Sequence, residues 1–449
     1  MNDTGSRIFH RTPGHGYPVA VGGDGPYIID GEGRRYLDAS GGAAVSCLGH
    51  SHPAVIQAIK DQIDKIPYAH TNFFTTEASE ALAVHLVERA PGDLGRVYFV
   101  SGGSEANETA LKLIRQYFVD KGEPERCRFI ARRQSYHGNT LGALAVSGNF
   151  LRRAPFMPLL METSHIAPCY PYRDRQAAES EADYGRRVAD ELEAEILRLG
   201  PETVAAFVAE TVGGATSGAL VPVAGYFKRI REICDRYGVL LLLDEIMCGM
   251  GRTGTLYACE QDGIAPDLLT CAKGLGAGYQ PIGAVLVAEK IYRTVVEKAG
   301  AFQHGFTYIG HATACAAALA VQRTIEADGL LANVRTQGEA LREALGERFH
   351  DHPNVGDIRG RGLFVGIELV ADRATKSPPD PALKLAPRIK AAAMARGLVC
   401  YPGAGTIDGT SGVHILLAPP FIIETRHVAE IVDKLAGALE DVLDATAKA

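Results

Sequence analysis

Four short apolar runs, each separated from the next by a stretch of helical periodicity, set the strongest limit on what this chain can fold into. They lie at 97–100, 128–131, 205–209 and 239–243. A strand that is apolar on both faces belongs in a parallel sheet covered by helices on both sides. The intervening segments supply those helices. Residues 104–119 place Ala110, Leu111, Ile114 and Phe118 on one face, and 183–199 place Tyr184, Val188, Leu192 and Ile196 at i+4 spacing. The acidic remainder of the second segment reads as a solvated face. The expected fold class is α/β, built on a large, mostly parallel sheet.

The two ends of the chain have a different character. Gly22, Gly23, Gly25 and Pro26 punctuate short apolar pieces at 27–29 and 36–37, the pattern of small hairpin strands, and a helix is expected over 53–66. Past residue 325 a turn at 359–362 leads into a strand over 363–369. The polar, two-proline stretch 371–380 reads as a surface loop. A closing helix buries Val428, Ile431, Leu435 and Leu439. With 449 residues the chain has room for two or three domains. The expected division is a large α/β domain over 71–325 and a smaller α+β domain made from 1–70 and 326–449.

Charge and cysteine usage exclude several classes. The net charge of −7 offers no basic footprint for nucleic acid. No apolar run is long enough to cross a bilayer, and the opening residues contain no apolar signal core. The expected location is therefore the cytoplasm. The nine cysteines form no C-x-x-C pair, so neither a disulfide framework nor a metal site is expected.

Four segments carry chemistry. Ser101-Gly102-Gly103-Ser104-Glu105-Ala106-Asn107 follows an apolar strand and opens a helix. Free N–H groups and the helix dipole favour an anion such as phosphate there; an ordinary capped turn reads the same way. The stretch is no Walker loop, and it lacks the spacing of a dinucleotide fingerprint. Asp244-Glu245 ends another apolar strand, where ligands of open α/β sheets bind. A desolvated carboxylate needs a cationic partner, which a protonated pyridine nitrogen or a structural ion pair supplies equally well. Lys273, set between apolar residues and glycines, is not placed like a surface lysine; desolvation lowers its proton affinity and frees its amine for Schiff-base chemistry. Tyr136-His137-Gly138 offers an aromatic ring for stacking on a flat heterocycle, although His137 suits a packed core position as well.

Taken in order, SGGSEANE, YHG, LLLDEIMCGMGRTG, CAKGLGAG and HGFTYIGHATACAAAL resemble the class III, or ω-type, aminotransferases, a branch of the fold type I pyridoxal-phosphate enzymes. The likeness spans almost the whole chain. It implies that Gly103 and Ser104 hold the phosphate of pyridoxal 5'-phosphate. It also implies that Tyr136 and Ile246 pack on its two ring faces, that Asp244 pairs with the ring nitrogen and that Lys273 forms the Schiff base. His137 and Glu210 join this cofactor-binding set, with Glu210 also near the substrate. Thr307 resembles a threonine that reaches the phosphate from a neighbouring subunit, which implies a homodimer with a shared site. The implied reaction moves an amino group from an amine or amino acid, ω-amino donors included, to a keto acid such as pyruvate or 2-oxoglutarate. Tyr17, Phe73, Phe74 and Tyr401 are candidates for lining the substrate pocket.

Two departures stand out. Glu210-Thr211-Val212-Gly213-Gly214 replaces the family's Glu-Pro-Val-x-Gly, and Ser411 stands where many relatives have an arginine for the substrate carboxylate. The rival readings are a decarboxylase, aminomutase or racemase on the same scaffold, a cofactor-binding regulator, and a nicotinamide oxidoreductase. The regulator lacks a basic segment for DNA, and the oxidoreductase lacks its fingerprint.

Overall fold

A computed structural model describes residues 6–12 and 16–447. Its N-terminal strands β1 (Ala20–Asp24), β2 (Tyr27–Asp30) and β3 (Arg35–Asp38) form an antiparallel meander. The apolar runs then appear as β4 (Leu94–Val100), β5 (Arg128–Arg132), β7 (Val204–Glu210) and β8 (Leu240–Asp244). Three short strands complete this central sheet: β6 (Ser164–Ile166), β9 (Leu268–Cys271) and β10 (Gly283–Ala288). The order is β4-β10-β9-β8-β7-β5-β6. All neighbours from β9 to β6 are parallel; β10 alone runs antiparallel, between β4 and β9.

Side-chain alternation splits the middle of this sheet into two cores. Phe207, Leu241 and Leu243 pack with Tyr184, Leu192, Ile196 and Phe227 from the helices Glu181–Leu199 and Tyr226–Tyr237. Ala206, Val208, Leu240 and Leu242 face the other way, against Ala110, Ile114 and Phe118 of the helix Gly103–Lys121. Both faces are covered, which is why these strands carry no polar alternation.

The chain ends meet. The second sheet joins β1-β2-β3 to β13 (Leu398–Val399), which pairs parallel with β3. A third sheet has the order β11-β12-β15-β14 from Val355–Arg361, Phe364–Leu369, Val413–Leu417 and Tyr401–Ala404. Leu37, Leu398, Leu417, Ile431 and Leu435 share one core cluster, so β3 and the closing helix Thr425–Ala447 contribute to the same core.

One local expectation changes. Arg359, Gly360 and Arg361 do not turn but extend β11, and the reversal falls on Gly362 and Leu363. The two arginines find carboxylates: Arg359 pairs with Asp357 and Glu368 at 2.7 and 2.6 Å, and Arg361 with Asp262 at 2.8 Å. Those pairs hold the backbone extended where glycine spacing alone suggested a bend.

Leu243 is fully buried one residue before Asp244. Leu243→Ala should cost about 2–5 kcal/mol through lost contacts and the cavity left behind. The exposed Leu197→Ala should stay within about 0.5 kcal/mol of the parent. Urea unfolding midpoints of the two variants against the parent check both values.

Candidate active site

Five strands of the central sheet send their carboxyl ends to one place. β4 leads into Ser101–Ser104, β5 toward Tyr136 and His137, β7 ends at Glu210, β8 at Asp244, and β9 leads into Lys273. Together they wall a cavity of about 430 Å³, within the size range of small-ligand sites. Parallel strands make this convergence unavoidable, because all their carboxyl ends lie on one edge of the sheet.

Asp244 is the most constrained group in the cavity. It is 3 % exposed and ends an all-leucine run. Asn107 Nδ2 donates to its Oδ2 at 2.8 Å, His137 Nδ1 lies 2.8 Å from the same oxygen, and the Ile246 N–H donates to Oδ1 at 2.9 Å. An ionised carboxylate only accepts, so His137 Nδ1 must carry the proton in this contact. Its Nε2 is buried and has no hydrogen-bond partner among the described residues. The Asn107 amide is oriented in turn by Thr270, whose hydroxyl donates to Oδ1 at 3.0 Å. Thr270 sits on β9 in register with Asp244. One hydrogen-bonded relay therefore links the strand before Lys273 to the carboxylate opposite it.

Lys273 occupies an unusual turn. Its φ is 45°, in the left-handed region that costs a residue with a Cβ about 1 kcal/mol. Surrounding contacts enforce this geometry. The Ala277 N–H donates to the Lys273 carbonyl at 2.8 Å, and the buried Gln322 amide donates to the Gly274 and Leu275 carbonyls at 3.0 and 2.9 Å. A Cβ on Gly274 would meet Cys47 Sγ at 3.0 Å and Met250 Cβ at 3.2 Å, so a side chain there would have to push its neighbours aside. Burial lowers the Lys273 ammonium to a pKa of about 8, against the opposing pull of Asp244 and Glu210. The amine is thus available as a nucleophile or base near neutral to mildly alkaline pH.

The anion end of the cavity is built from backbone. The helix Gly103–Lys121 begins there with its first N–H groups unpaired by the helix itself. A Cβ on Gly103 would strike the Ile246 side chain at 2.8 Å, so only glycine lets that helix start come so close to β8. Gly138 has φ +139°, and a Cβ there would lie 2.6 Å from Ser104 Oγ. Ser104 Oγ accepts the Asn139 N–H at 3.0 Å, fixing the hydroxyl at the helix start. Glu210 lies deeper. Its carboxylate accepts the Gly214 N–H at 2.9 Å and the Tyr136 N–H at 3.3 Å, and burial raises its pKa above the usual carboxylate value. Glu245 faces away from the cavity, where it accepts from Thr211, Ala258 and Cys259; burial pushes it up to about 7.

The structure thus brings together Gly103, Ser104, Tyr136, His137, Glu210, Asp244, Ile246 and Lys273. Thr307 lies outside this cavity, exposed, with its carbonyl accepting from the Tyr68 hydroxyl at 2.7 Å. Of the aromatic candidates, Tyr401 packs in the apolar cluster that includes Met247 and Val212 of the cavity wall. The other three are elsewhere. Tyr17 lines a separate hollow with Lys390 and Met394. Phe73 and Phe74, 78 % and 67 % exposed, border a hollow with Tyr68. Within one chain these three do not touch the Lys273 cavity.

Sequence comparison resolves what this arrangement is. The model of the class III aminotransferase family matches residues 12–439. The chain belongs to the class III aminotransferases. It is 48 % identical over 430 residues to an uncharacterised aminotransferase of Schizosaccharomyces pombe, covering 96 % of this chain and 94 % of that one. Among solved structures, an (S)-enantioselective ω-transaminase from Thermomicrobium roseum matches with a TM-score of 0.92 at 37 % identity, over 98 % of this chain and 97 % of that one. An ω-transaminase from Pseudomonas jessenii, solved in complex with PMP, matches with a TM-score of 0.92 at 33 % identity, again over 98 % and 97 %. This class III aminotransferase has the fold type I architecture of those relatives and catalyses transamination.

Sequence reasoning did not reach the groups that set Asp244 and Lys273 in place. Asn107 lies inside a motif singled out for anion binding, but its work is on a carboxylate. Thr270 and Gln322 are ordinary strand and helix residues until the fold brings them to the site.

The lowered Lys273 pKa has a chemical consequence. Below pH 8 the neutral amine should fall tenfold per unit; above it the amine should saturate. An amine-selective acylating reagent applied to the ligand-free aminotransferase should label Lys273 with a midpoint near pH 8. A lysine side chain free in water titrates near about 10.4. Peptide mass spectrometry across a pH series separates the two populations.

Proposed function

We propose that this aminotransferase uses pyridoxal 5'-phosphate, bound in the Lys273 cavity, to move an amino group from an amine or amino acid, ω-amino donors included, to a keto acid such as pyruvate or 2-oxoglutarate. The observation that carries the reading is the pairing, in one cavity, of a lysine with lowered proton affinity and a carboxylate held by three donors. The PMP found in the Pseudomonas jessenii relative supports the choice of cofactor.

The residues present fit that group. Gly103, Ser104 and the free helix N–H groups suit its phosphate, and a Cβ at Gly103 would push Ile246 out of place. Tyr136 and Ile246 border the space for a flat ring. Asp244, met by three hydrogen-bond donors and no side-chain cation of Lys or Arg, suits a protonated ring nitrogen. When bound, the cofactor supplies an electron sink and carries the amino group between donor and acceptor.

The chain's own residues then do three things. Asp244 holds positive charge at the ring nitrogen, and His137 and Asn107 keep that carboxylate from turning away. Lys273 Nζ, with a pKa of about 8, takes a proton from the substrate carbon and returns it nearby; general bases work best near the ambient pH. Glu210, through the Tyr136 N–H, holds the aromatic wall in place.

The same reading includes a homodimer in which Thr307 of one chain reaches the phosphate site of the other, and its exposure outside its own cavity supports that role. It also includes a large domain over 71–325, a smaller one from 1–70 and 326–449, and a cytoplasmic location. Shared packing of Leu37 with Leu435 supports the pairing of the two ends. No helix among the described residues is long and apolar enough to cross a membrane.

An absorbance titration with a panel of amino donors tests the reading. A visible band should form with pyridoxal 5'-phosphate, disappear with a competent donor and return with pyruvate or 2-oxoglutarate. A band that no donor discharges would refute transamination by this site. Lys273→Ala should abolish turnover while retaining cofactor affinity. Asp244→Asn should lower kcat by several orders of magnitude, since a neutral amide cannot hold a pyridinium; steady-state kinetics with the donor from the panel measures both.

A further inference from the structure

Glu245 is a fully buried carboxylate with no part in the Lys273 chemistry, and Thr211 is a position at which this chain departs from the family's Glu-Pro-Val-x-Gly. The fold puts the two side by side. Glu210 and Asp244 are partners in the β7–β8 register, and both line the cavity. Side chains alternate along a strand, so the next residues, Thr211 and Glu245, turn to the opposite face. There the Thr211 hydroxyl donates to Glu245 Oε1 at 2.9 Å. Both residues are 0 % exposed.

A carboxylate so deep needs donors in place of water. Glu245 also accepts the Cys259 N–H on Oε1 at 2.8 Å and the Ala258 N–H on Oε2 at 2.6 Å. Among the described residues no lysine, arginine or histidine pairs with it. Asp244 precedes it, and its other titratable neighbours, Cys248, Tyr257, Cys259 and Cys271, are kept protonated by burial. Burial pushes Glu245 up to about 7 while its donors, Thr211 among them, pull it down.

Thr211 also opens the stretch that builds one wall of the site. Gly213 and Leu220 close that stretch with two backbone bonds, at 2.8 and 2.9 Å. Within it the Gly214 N–H donates to Glu210 Oε1 at 2.9 Å. The Thr216 and Ser217 hydroxyls both donate to the Gln134 carbonyl, two residues before Tyr136. Glu210, Val212 and Tyr136 all line the cavity. The Thr211–Glu245 bond ties the start of this stretch to the end of β8, beyond the last strand pair. A proline in place of Thr211 would stiffen the backbone but donate nothing.

We propose that Thr211 is a positioning residue of this aminotransferase: its hydroxyl, donated to Glu245 behind the sheet, fixes residues 210–217 and through them the Glu210, Val212 and Tyr136 wall of the Lys273 cavity. Thr211 touches neither cofactor nor substrate. The proposal rests on the cofactor reading above and deepens it by naming what holds that wall.

The test uses the full chain in four forms: the parent, Thr211→Val, Thr211→Ser and Glu245→Gln. Infrared spectroscopy follows the protonated Glu245 carboxyl across a pH series, its band assigned by its absence in Glu245→Gln. Calorimetry at mildly alkaline pH measures binding of pyridoxamine 5'-phosphate, which cannot join Lys273 covalently. The parent band should titrate near pH 7. Thr211→Val should raise that midpoint by about one unit, because the ionised form has lost a donor. The same variant should bind pyridoxamine 5'-phosphate about tenfold more weakly, the contribution of one hydrogen bond to a charged group. Thr211→Ser, which keeps the hydroxyl, should restore both. An unmoved midpoint or unchanged affinity in Thr211→Val would overturn the proposal. So would a loss that Thr211→Ser shares, which marks packing of the methyl group. Should Thr211→Val fail to fold, Thr211→Ala removes the same hydroxyl and is judged the same way. Should no form bind pyridoxamine 5'-phosphate, the cofactor reading fails by itself, and an unmoved infrared midpoint is then what overturns the pair.

Discussion

A carboxylate at the end of a buried, all-leucine strand is the constraint around which this site is arranged. Asp244 cannot be left ionised and unpaired so deep in the sheet, because the cost of desolvating a lone charge exceeds what packing returns. Three donors meet it, one each from the helix Gly103–Lys121, the segment after β5 and its own strand end. Those same three elements form the phosphate end, the aromatic wall and the ring-facing side of the cavity. Placing Asp244 therefore places most of the site.

Lys273 answers that carboxylate from across the cavity, and the two are coupled mechanically as well as by charge. The relay from Thr270 through Asn107 runs from the strand preceding the lysine to the oxygen it faces. The strained φ of Lys273 is tolerated because Gln322 and Ala277 hold the turn on both sides. Burial lowers the lysine's proton affinity while Asp244 and Glu210 pull the other way, and the balance leaves the amine within reach of physiological pH.

The core, and the residues that gather at the Lys273 cavity, were legible in the sequence for identifiable reasons. Strands buried on both faces have no polar residues to disguise them, so 205–209 and 239–243 announce a covered parallel sheet, and β7 and β8 lie within a residue or two of those bounds. Such sheets bind ligands at their carboxyl ends, which is where Gly103, Tyr136, Asp244 and Lys273 fall. The turn expected at 359–362 failed for the opposite reason. Its glycines are local signals, whereas the carboxylates of Glu368 and Asp262 that hold Arg359 and Arg361 extended are remote. Phe73 and Phe74 show a related limit, since aromatic character says nothing about which of several hollows a ring will border.

What the sequence determined by itself is the chemistry available and the layer in which each element lies. Period-two and period-3.6 patterns are local, and five motifs in one order name a family whose model matches residues 12–439. What only the tertiary structure decided is which side chains orient the reactive ones. Asn107 and Asp244 are 137 positions apart, and Gln322 lies 48 positions from the Gly274 carbonyl it holds. Arg152 stacks on Tyr136 over a short distance in sequence, whereas Gly409 meets Phe150 and Leu151 only because the fold joins distant parts of the chain. Hydrogen-bond donors are common residues with no periodicity of their own, so their partners become known only when the chain has closed around them.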